Sequence, residues 1–300
     1  MTPLVLSALA LVLTGPAPVL LARSKWPTKV PRAAIVLWQS MALSAVLAVF
    51  GAGLAIGLEF LHADNPSTLQ VVLHSALSTL TCVVAIRLAW STAKVAIHTR
   101  ARRRRHRMLV DLVAAPDEVR KELRILAEQT PIAYCLPSLT DARVVISSGT
   151  LATLDEAELR AVLAHERAHL RARHDLVLEA FAALREAFPK FLRGRVALEN
   201  TALEQNQALV EMLADDAARR QVGPTHVARA LVRLSESPVP SAALAASGTM
   251  TLERVQRMNR PAGAHPLLAA ATYATAAALV IVPTLTVAIP WLARLVETLA

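Results

Sequence analysis

The sequence has few aromatic residues, few charges and almost no cysteine, and each scarcity narrows the class of protein. Aromatic residues make up 4% of the 300 residues, too few for the base-stacking surfaces that bind single-stranded nucleic acid. The two cysteines, Cys82 and Cys135, lie in an apolar run and a polar region, so we expect no disulfide framework. Charged residues reach 18% against 54% hydrophobic residues, which is too apolar for an ordinary soluble protein.

Long hydrophobic runs are what the sequence does have. A helix needs roughly 20 apolar residues to cross a bilayer, and four runs are long enough: 3–22, 33–61, 69–90 and 267–293. The third run predicts a helix that continues to residue 98. The first lacks a basic segment before its apolar core and is followed at once by another run, which favours a retained helix over a cleaved signal peptide.

These runs predict a mainly α-helical, multi-pass membrane protein with one polar domain. We expect three transmembrane helices in 1–100, a mainly helical polar domain with a small β-hairpin or sheet in 101–266, and a fourth transmembrane helix with a short external tail in 267–300. The lipid bilayer is then one partner of the chain. Gly53 and Gly57 have the spacing of a helix-packing face, and Arg87, within the third run, is interpreted as reaching the membrane interface.

The distribution of positive charge predicts the orientation. The connection at 23–32 and the stretch "RARRRRHR" at 100–107 are rich in Lys and Arg, whereas the connection between the second and third runs has neither. Because cytoplasmic loops are enriched in these residues, we expect a bacterial plasma-membrane protein with its N-terminus outside and its polar domain in the cytoplasm. We interpret 100–107 as a cluster attracted to anionic lipid and expect no direct nucleic-acid binding.

The polar domain begins with a mixture of helix and strand patterns. Residues 116–129 have helical spacing after a proline. Residues 133–151 predict a hairpin that ends near Gly149, because Val144–Ile146 favour a strand and a turn precedes them. Thr153 and Glu156 have the spacing of a capping box at the start of the next helix. Further predictions are a helix from Asp175 to Phe188, a helix at 202–221, another ending at Ser235, a loop at 235–248 and a short basic helix at 252–260.

The motif H-E-R-A-H lies within the helix that follows residue 156. Its histidines, His165 and His169, are four residues apart, so both can point to one ion from the same face of a helix. Neutral imidazoles suit Zn²⁺, whose catalytic sites have three protein ligands and one open position. Glu166, beside the first histidine, is suited to act as general base toward a water molecule there.

A third zinc ligand has to come from elsewhere in the chain. The sequence after His169 does not continue as H-x-x-G-x-x-H, and His174 would point about 140° away on a continuous helix. Glu211 is the better candidate, because Glu211 and Asp215 form an acidic pair four residues apart that would repel unless a cation lies there. Asp215 can then accept a hydrogen bond from a ligating histidine. The alternative is a solvated acidic face balanced by arginines, and Asp216 is expected to be solvated.

These segments also resemble a known group of enzymes. "RVVISSGTL", "LDEAELRAVLAHERAHLRARHDL" and the later "EMLAD" are similar to membrane gluzincins, most closely the BlaR/MecR-type metallopeptidases, and they share motifs with HtpX-type peptidases. The resemblance covers 132–220. It implies that 101–266 is a gluzincin-like zinc-protease domain. It also implies that His165, His169 and Glu211 bind Zn²⁺, that Glu166 is the base and that Asp215 is a supporting residue.

The resemblance implies an antirepressor function: cleavage of a cytoplasmic transcriptional repressor, of the winged-helix kind, in an antibiotic- or stress-response pathway. The chain ends at Ala300 without the S-x-x-K motif of an extracellular penicillin sensor, so we do not expect direct β-lactam sensing. One alternative is an HtpX-like quality-control protease, and another is a non-enzymatic membrane transducer or scaffold. Position also suggests that the strand at 144–147 binds substrate by edge addition.

Overall fold

The chain is mainly α-helical with one small sheet, as predicted. The computed structural model describes residues 2–61, 67–189, 196–235, 252–259, 263 and 265–299. Backbone contacts divide the chain into two compact units. The helical unit comprises Met1–Val95, Ala180–Asn206 and His265–Ala300, and the sheet unit comprises Ala96–Glu179 and Gln207–Ala264. The domain boundaries expected from the sequence remain a prediction.

The four predicted membrane helices are present. Helices long and apolar enough to cross a bilayer cover Leu4–Arg23, Pro31–Gly57, Thr68–Val113 and Pro266–Ala293. The first consists of α1 (Thr2–Thr14) and α2 (Pro16–Arg23), and a short 3₁₀ turn (Pro27–Lys29) leads to α3 (Pro31–Leu61) and then α4 (Thr68–Val113). The third helix is therefore longer than predicted, because the basic stretch at 100–107 continues it without a break.

Helix α3 forms the main packing contacts of the helical unit. Helix α3 packs against α1 and α11 (Pro266–Pro283), and its buried face contains Ala34, Trp38 and Ala45. Small residues allow two backbones to approach closely in a membrane, where interhelical hydrogen bonds also contribute. Ser44 provides one, because its Oγ donates to the carbonyl oxygen of Leu279 over 2.8 Å. The fourth span continues through a π-helical turn (Thr284–Ala288) into α12 (Ile289–Leu299).

Two details of the membrane helices bear on sequence predictions. A Cβ on Gly53 would collide with the side chain of Thr81, and one on Gly57 would contact Ser78 Oγ at 3.6 Å, which confirms this helix-packing face. The interpretation that Arg87 reaches the membrane interface remains a prediction. Its Nε donates to the carbonyl oxygen of Ala187 over 2.8 Å, at the C-terminal end of helix α7 (His174–Ala187), where the helix leaves carbonyl groups without intrahelical partners.

The sheet unit contains four short strands in the order β1–β2–β4–β3. Strand β2 is parallel to β4, whereas β1–β2 and β3–β4 are antiparallel pairs. The predicted hairpin is therefore confirmed as β3–β4, within a larger sheet. The bounds are Ala115–Pro116 for β1, Leu123–Leu126 for β2, Ala133–Leu136 for β3 and Arg143–Ser147 for β4.

The helix predicted at 116–129 was wrong, because this segment forms a turn and strand β2. Asp117 Oδ1 accepts hydrogen bonds from the backbone N–H groups of Val119 and Arg120, a local arrangement that competes with helix formation. Leu123 then packs in the core cluster with Val144, Ile146 and Leu163. Burial against the sheet therefore overrides the helical spacing of the sequence.

Helix α6 (Glu156–Ala172) follows the short helix α5 (Ser148–Thr153) and contains the H-E-R-A-H motif, as predicted. The capping box was misplaced by two residues. Asp155 is the N-cap and accepts from the N–H of Glu158, whose side chain accepts from the Asp155 N–H. Glu158 also pairs with Arg233 over 2.9 Å, which fixes the start of α6 against helix α9 (Pro224–Ser235).

The remaining helices of the chain are close to those predicted. They are α7 (His174–Ala187), α8 (Ala197–Val222), α9 (Pro224–Ser235) and α10 (252–258). Gly223 has a φ of 86°, a conformation that favours glycine and ends α8. Met258 of α10 packs with Ala164 of α6, Ala218 of α8 and Val227 of α9, so four helices share one core. Apart from Ser235, the predicted loop at 235–248 lies outside the described residues.

Candidate metal centre

The histidines of the motif meet on one face of α6. The distance between His165 Nε2 and His169 Nε2 is 3.1 Å, as expected for residues four apart on a helix. Both side chains are largely buried, with exposed fractions of 13% and 15%. This face of α6 therefore presents two imidazole nitrogens toward one point.

Glu211 of α8 completes a triangle with the two histidines. Its Oε2 lies 3.4 Å from His165 Nε2, and its Oε1 lies 3.4 Å from His169 Nε2. Among the described residues, these three form the one group of His, Cys, Asp or Glu side chains whose ligand atoms lie close enough together to hold a metal ion. The structure thus brings together the three residues that the sequence predicted as ligands.

The donor set fits zinc in both size and chemistry. Ligand atoms at about 2.1 Å from a tetrahedral ion are roughly 3.4 Å apart. The two imidazole nitrogens are 3.1 Å apart, and each lies 3.4 Å from one of the two oxygens of Glu211. Two imidazole nitrogens and one carboxylate are also the donor set of several catalytic zinc sites. Residues His165, His169 and Glu211 therefore fit a zinc ion.

Asp215 orients the first histidine. Its Oδ1 lies 3.0 Å from His165 Nδ1, and its side chain is 1% exposed. A carboxylate in this position accepts a hydrogen bond from the Nδ1–H group. The Nε2 atom is then free to bind a metal, as is common around ligating histidines. The predicted supporting contact of Asp215 is therefore present in the structure.

His174 makes the corresponding contact with the second histidine. The prediction that His174 points away was wrong, because it assumed a continuous helix. Helix α6 ends at Ala172, and Arg173 has a φ of 51°, so the chain turns before α7 begins. His174 Nδ1 consequently lies 3.1 Å from His169 Nδ1, on the side of the ring opposite the donor triangle.

Glu166 lies beside the triangle and next to strand β3. The Cys135 thiol and the Glu166 carboxylate are close enough to influence each other's pKa. Burial raises the pKa of Glu166, an effect that the charge of His165 opposes. Burial, with the neighbouring Glu166 charge, also raises the pKa of Cys135, so the thiol stays protonated. A buried carboxylate with a raised pKa is suited to accept and return a proton.

The pKa values of the two histidines shift in opposite directions. Burial opposes protonation of His165, but hydrogen bonds with Asp215 and Glu211 outweigh it and raise its pKa to about 9. Burial lowers the pKa of His169 to about 4, although Glu211 opposes this. Burial would raise the pKa of both carboxylates, but their positively charged and hydrogen-bonding partners outweigh it. The pKa of Glu211 falls to about 2, and that of Asp215 also falls to about 2. Without a metal ion, the His165 ring therefore holds the exchangeable positive charge.

Two arginines of α10 are site neighbours that the sequence analysis missed. Arg254 binds Asp215 through two hydrogen bonds of 2.7 Å each and lies 3.1 Å from Glu211 Oε2. Arg257 binds both oxygens of Asp216, at 2.7 and 2.9 Å, so the expectation of a solvated Asp216 was wrong. The available signal was the spacing of three between Arg254 and Arg257, which puts both on one side of a helix.

Comparison with known proteins identifies the family of the chain that contains this site. The sequence model of Peptidase family M48 matches residues 97–286, more than half of the chain, and the chain belongs to that family. It is therefore a metallopeptidase of a generally zinc-dependent family, and its four apolar helices make it a membrane protein. No curated protein and no solved structure matches the chain. The match supports the predicted peptidase class but does not extend to the BlaR/MecR type.

Proposed function

We propose that the chain is a zinc-dependent membrane endopeptidase in which His165, His169 and Glu211 bind the ion and Glu166 is the general base. The donor triangle formed by the two imidazole nitrogens and the Glu211 carboxylate, with Glu166 one residue from the first ligand, carries the proposal. When bound, zinc would supply a Lewis acid that activates water and polarises a peptide carbonyl. Glu166 accepts a proton from the attacking water at its carboxylate and returns it to the leaving amine.

The test of this mechanism separates metal binding from cleavage. In the purified full chain, Glu166→Gln should retain one zinc per chain and lose peptide hydrolysis, because the amide cannot accept the proton. His165→Ala should lose the zinc. The matched control is Glu156→Gln, which changes an exposed glutamate of the same helix and should alter neither property. Full hydrolysis by Glu166→Gln would refute the role of Glu166.

The position of the sheet changes the proposal for substrate binding. The predicted strand β4 cannot accept an extra strand, because it lies between β2 and β3. Strand β3 is an edge strand and contains Cys135, whose thiol influences the pKa of Glu166. We propose that an extended peptide pairs with β3. A substrate peptide with N-methylated amides near its scissile bond should be cleaved poorly, whereas methylation far from the bond should have no effect. Equal cleavage of both peptides would argue against pairing.

For the membrane, we propose the bacterial plasma membrane, with an outside N-terminus and a cytoplasmic peptidase unit. The support is the concentration of Lys and Arg at 23–32 and 100–107, which marks cytoplasmic connections. Topology reporters fused after residues 30 and 105 should both report the cytoplasm, and one fused within 62–67 should report the outside. The opposite pattern would invert the orientation.

For the substrate, we propose a cytoplasmic transcriptional repressor of the winged-helix kind, in a signalling pathway. The sequence similarity at the motif segments supports this proposal. The alternative, a quality-control protease, uses the same site with broad specificity. Incubation of the enzyme with a candidate repressor and with an unfolded membrane protein separates them, when the products are read by mass spectrometry. A single cut in the repressor alone supports the signalling function, whereas many cuts in the unfolded protein support quality control.

A further inference from the structure

We propose that Arg254 is a positioning residue of the metal site, and this inference rests on the proposed zinc-binding function. Arg254 lies on α10, 39 residues along the chain from its partner Asp215, and its side chain is 15% exposed. It provides a fixed positive charge that holds two carboxylates of α8 in the orientations that the two histidines of α6 require.

Arg254 orients the carboxylate of Asp215. Arg254 Nε and Nη2 each donate to a different oxygen of Asp215 over 2.7 Å, which fixes the plane of that carboxylate. Asp215 Oδ1, one of these two oxygens, is also the atom 3.0 Å from His165 Nδ1. Arg254 therefore fixes the acceptor that in turn fixes the ring of His165.

Arg254 also contacts Glu211 directly. Arg254 Nη1 lies 3.1 Å from Glu211 Oε2, so the same guanidinium holds one oxygen of this carboxylate. The other oxygen, Oε1, faces His169 Nε2 over 3.4 Å. One arginine thus contacts a candidate ligand directly and orients another through Asp215, with a planar fork of donors that lysine does not have.

Arg254 also offsets the negative charge of the two carboxylates. Asp215 has a 1% exposed side chain, and Glu211 lies one helical turn before it. Two carboxylates in this arrangement repel each other, and burial of an unpaired charge is costly. In the described part of the chain, Arg254 and the ring of His165 each contact both carboxylates, and the charge of the guanidinium is permanent. It allows both groups to remain ionised and in place before a metal ion arrives.

The chain offers a matched control three residues away. Arg257 forms the same kind of two-bond pair with Asp216, from the same helix to the same helix. No described contact joins this second pair to His165 or His169. Loss of either arginine removes one tie between α10 and α8, but only loss of Arg254 changes the surroundings of the donor triangle. The two substitutions therefore distinguish a positioning function from simple attachment of α10.

The experiment compares Arg254→Met, Arg254→Lys and Arg257→Met in the purified full chain. Zinc affinity is measured by competition with a chromophoric chelator, and the ligand field is measured from the visible spectrum of the Co²⁺-loaded protein. Arg254→Met should weaken zinc binding about 10- to 100-fold, as loss of an outer partner does at other sites, and should shift the Co²⁺ bands. Arg254→Lys should fall between, because it keeps the charge without the fork. Arg257→Met should change neither measurement.

Equal weakening by Arg254→Met and Arg257→Met, or wild-type affinity in Arg254→Met, would overturn the inference. If Arg254→Met does not fold, Arg254→Lys in wild-type and Asp215→Asn backgrounds provides the test. The effect of the lysine should shrink when Asp215 is already neutral, and an undiminished effect would contradict positioning through Asp215. Failure of the wild-type chain to bind zinc would refute the proposed function itself, a result distinct from failure of the Arg254 variants.

Discussion

Zinc binding should displace about one proton from the site, and the affinity should rise steeply with pH. In the ion-free protein the pKa of His165 is raised to about 9, whereas that of His169 is lowered to about 4 and that of Glu211 to about 2. At pH 6 only His165, among the three ligands, carries an additional proton that zinc must displace. Because zinc binds the deprotonated ring, this proton must leave when the ion arrives.

The magnitude follows from the fraction of His165 that is unprotonated. With a pKa of about 9, this fraction is about 0.001 at pH 6 and about 0.1 at pH 8, so the apparent Kd for zinc should fall roughly 100-fold over that interval. The sign is fixed by the direction of the shift: a raised pKa weakens binding at low pH. A ligand with an ordinary histidine pKa of about 6.5 would give a change of only about fourfold over the same interval.

Isothermal titration calorimetry at pH 6, in buffers with different ionisation enthalpies, measures the number of protons released. Asp215→Asn is the informative variant, because it removes a partner that raises the pKa of His165 and should flatten the pH dependence. Release of no proton at pH 6 in the wild-type protein would refute the assignment of the charge to His165. Release of two would show that a second ligand is protonated.

Three further predictions concern stability and are measured by thermal unfolding in detergent. Leu163→Ala, in the cluster with Val144 and Ile146, should destabilise the chain by about 2–5 kcal/mol, and an effect no larger than that of Leu151→Ala at an exposed position would contradict the core assignment. Asp155→Ala should cost about 1 kcal/mol by removing the N-cap of α6; an unchanged melting temperature would argue against this capping box. Gly53→Val should disrupt the contact with Thr81 and lower the melting temperature more than Gly51→Val does, since the nearest contact there is the flexible end of Leu6.

The parts of the fold that depend on local sequence could be predicted. Composition predicts the four long apolar runs, and residue spacing predicts the helix around H-E-R-A-H. Gly223 predicts the end of α8, because glycine readily adopts the positive φ found there. Residues 116–129 could not, because their helical spacing is overridden by pairing of β2 with β4. That pairing joins residues about 20 positions apart, and no local pattern specifies its parallel direction.

The candidate site shows the same division. His165 and His169 are brought together by one helix, so their spacing alone predicts the pair. Glu211 required a second helix, and it was found because an acidic pair with Asp215 is unfavourable without a cation. The structure brings these side chains together as expected, while their roles in catalysis remain predictions. Arg254 was missed because its segment has only the pattern of an ordinary basic helix. Its contact with Asp215 joins two helices and is visible only in the structure.

The break after α6 has a consequence for reading other sequences. Arg173 adopts a left-handed backbone conformation with a φ of 51°, which is unusual for a residue with a side chain. This single residue turns His174 back toward His169, although helical spacing puts the two on different faces. A histidine five positions after an H-E-x-x-H motif therefore cannot be dismissed by a helical wheel. The residue just before it decides the outcome, and glycine or asparagine there would make the same turn more easily.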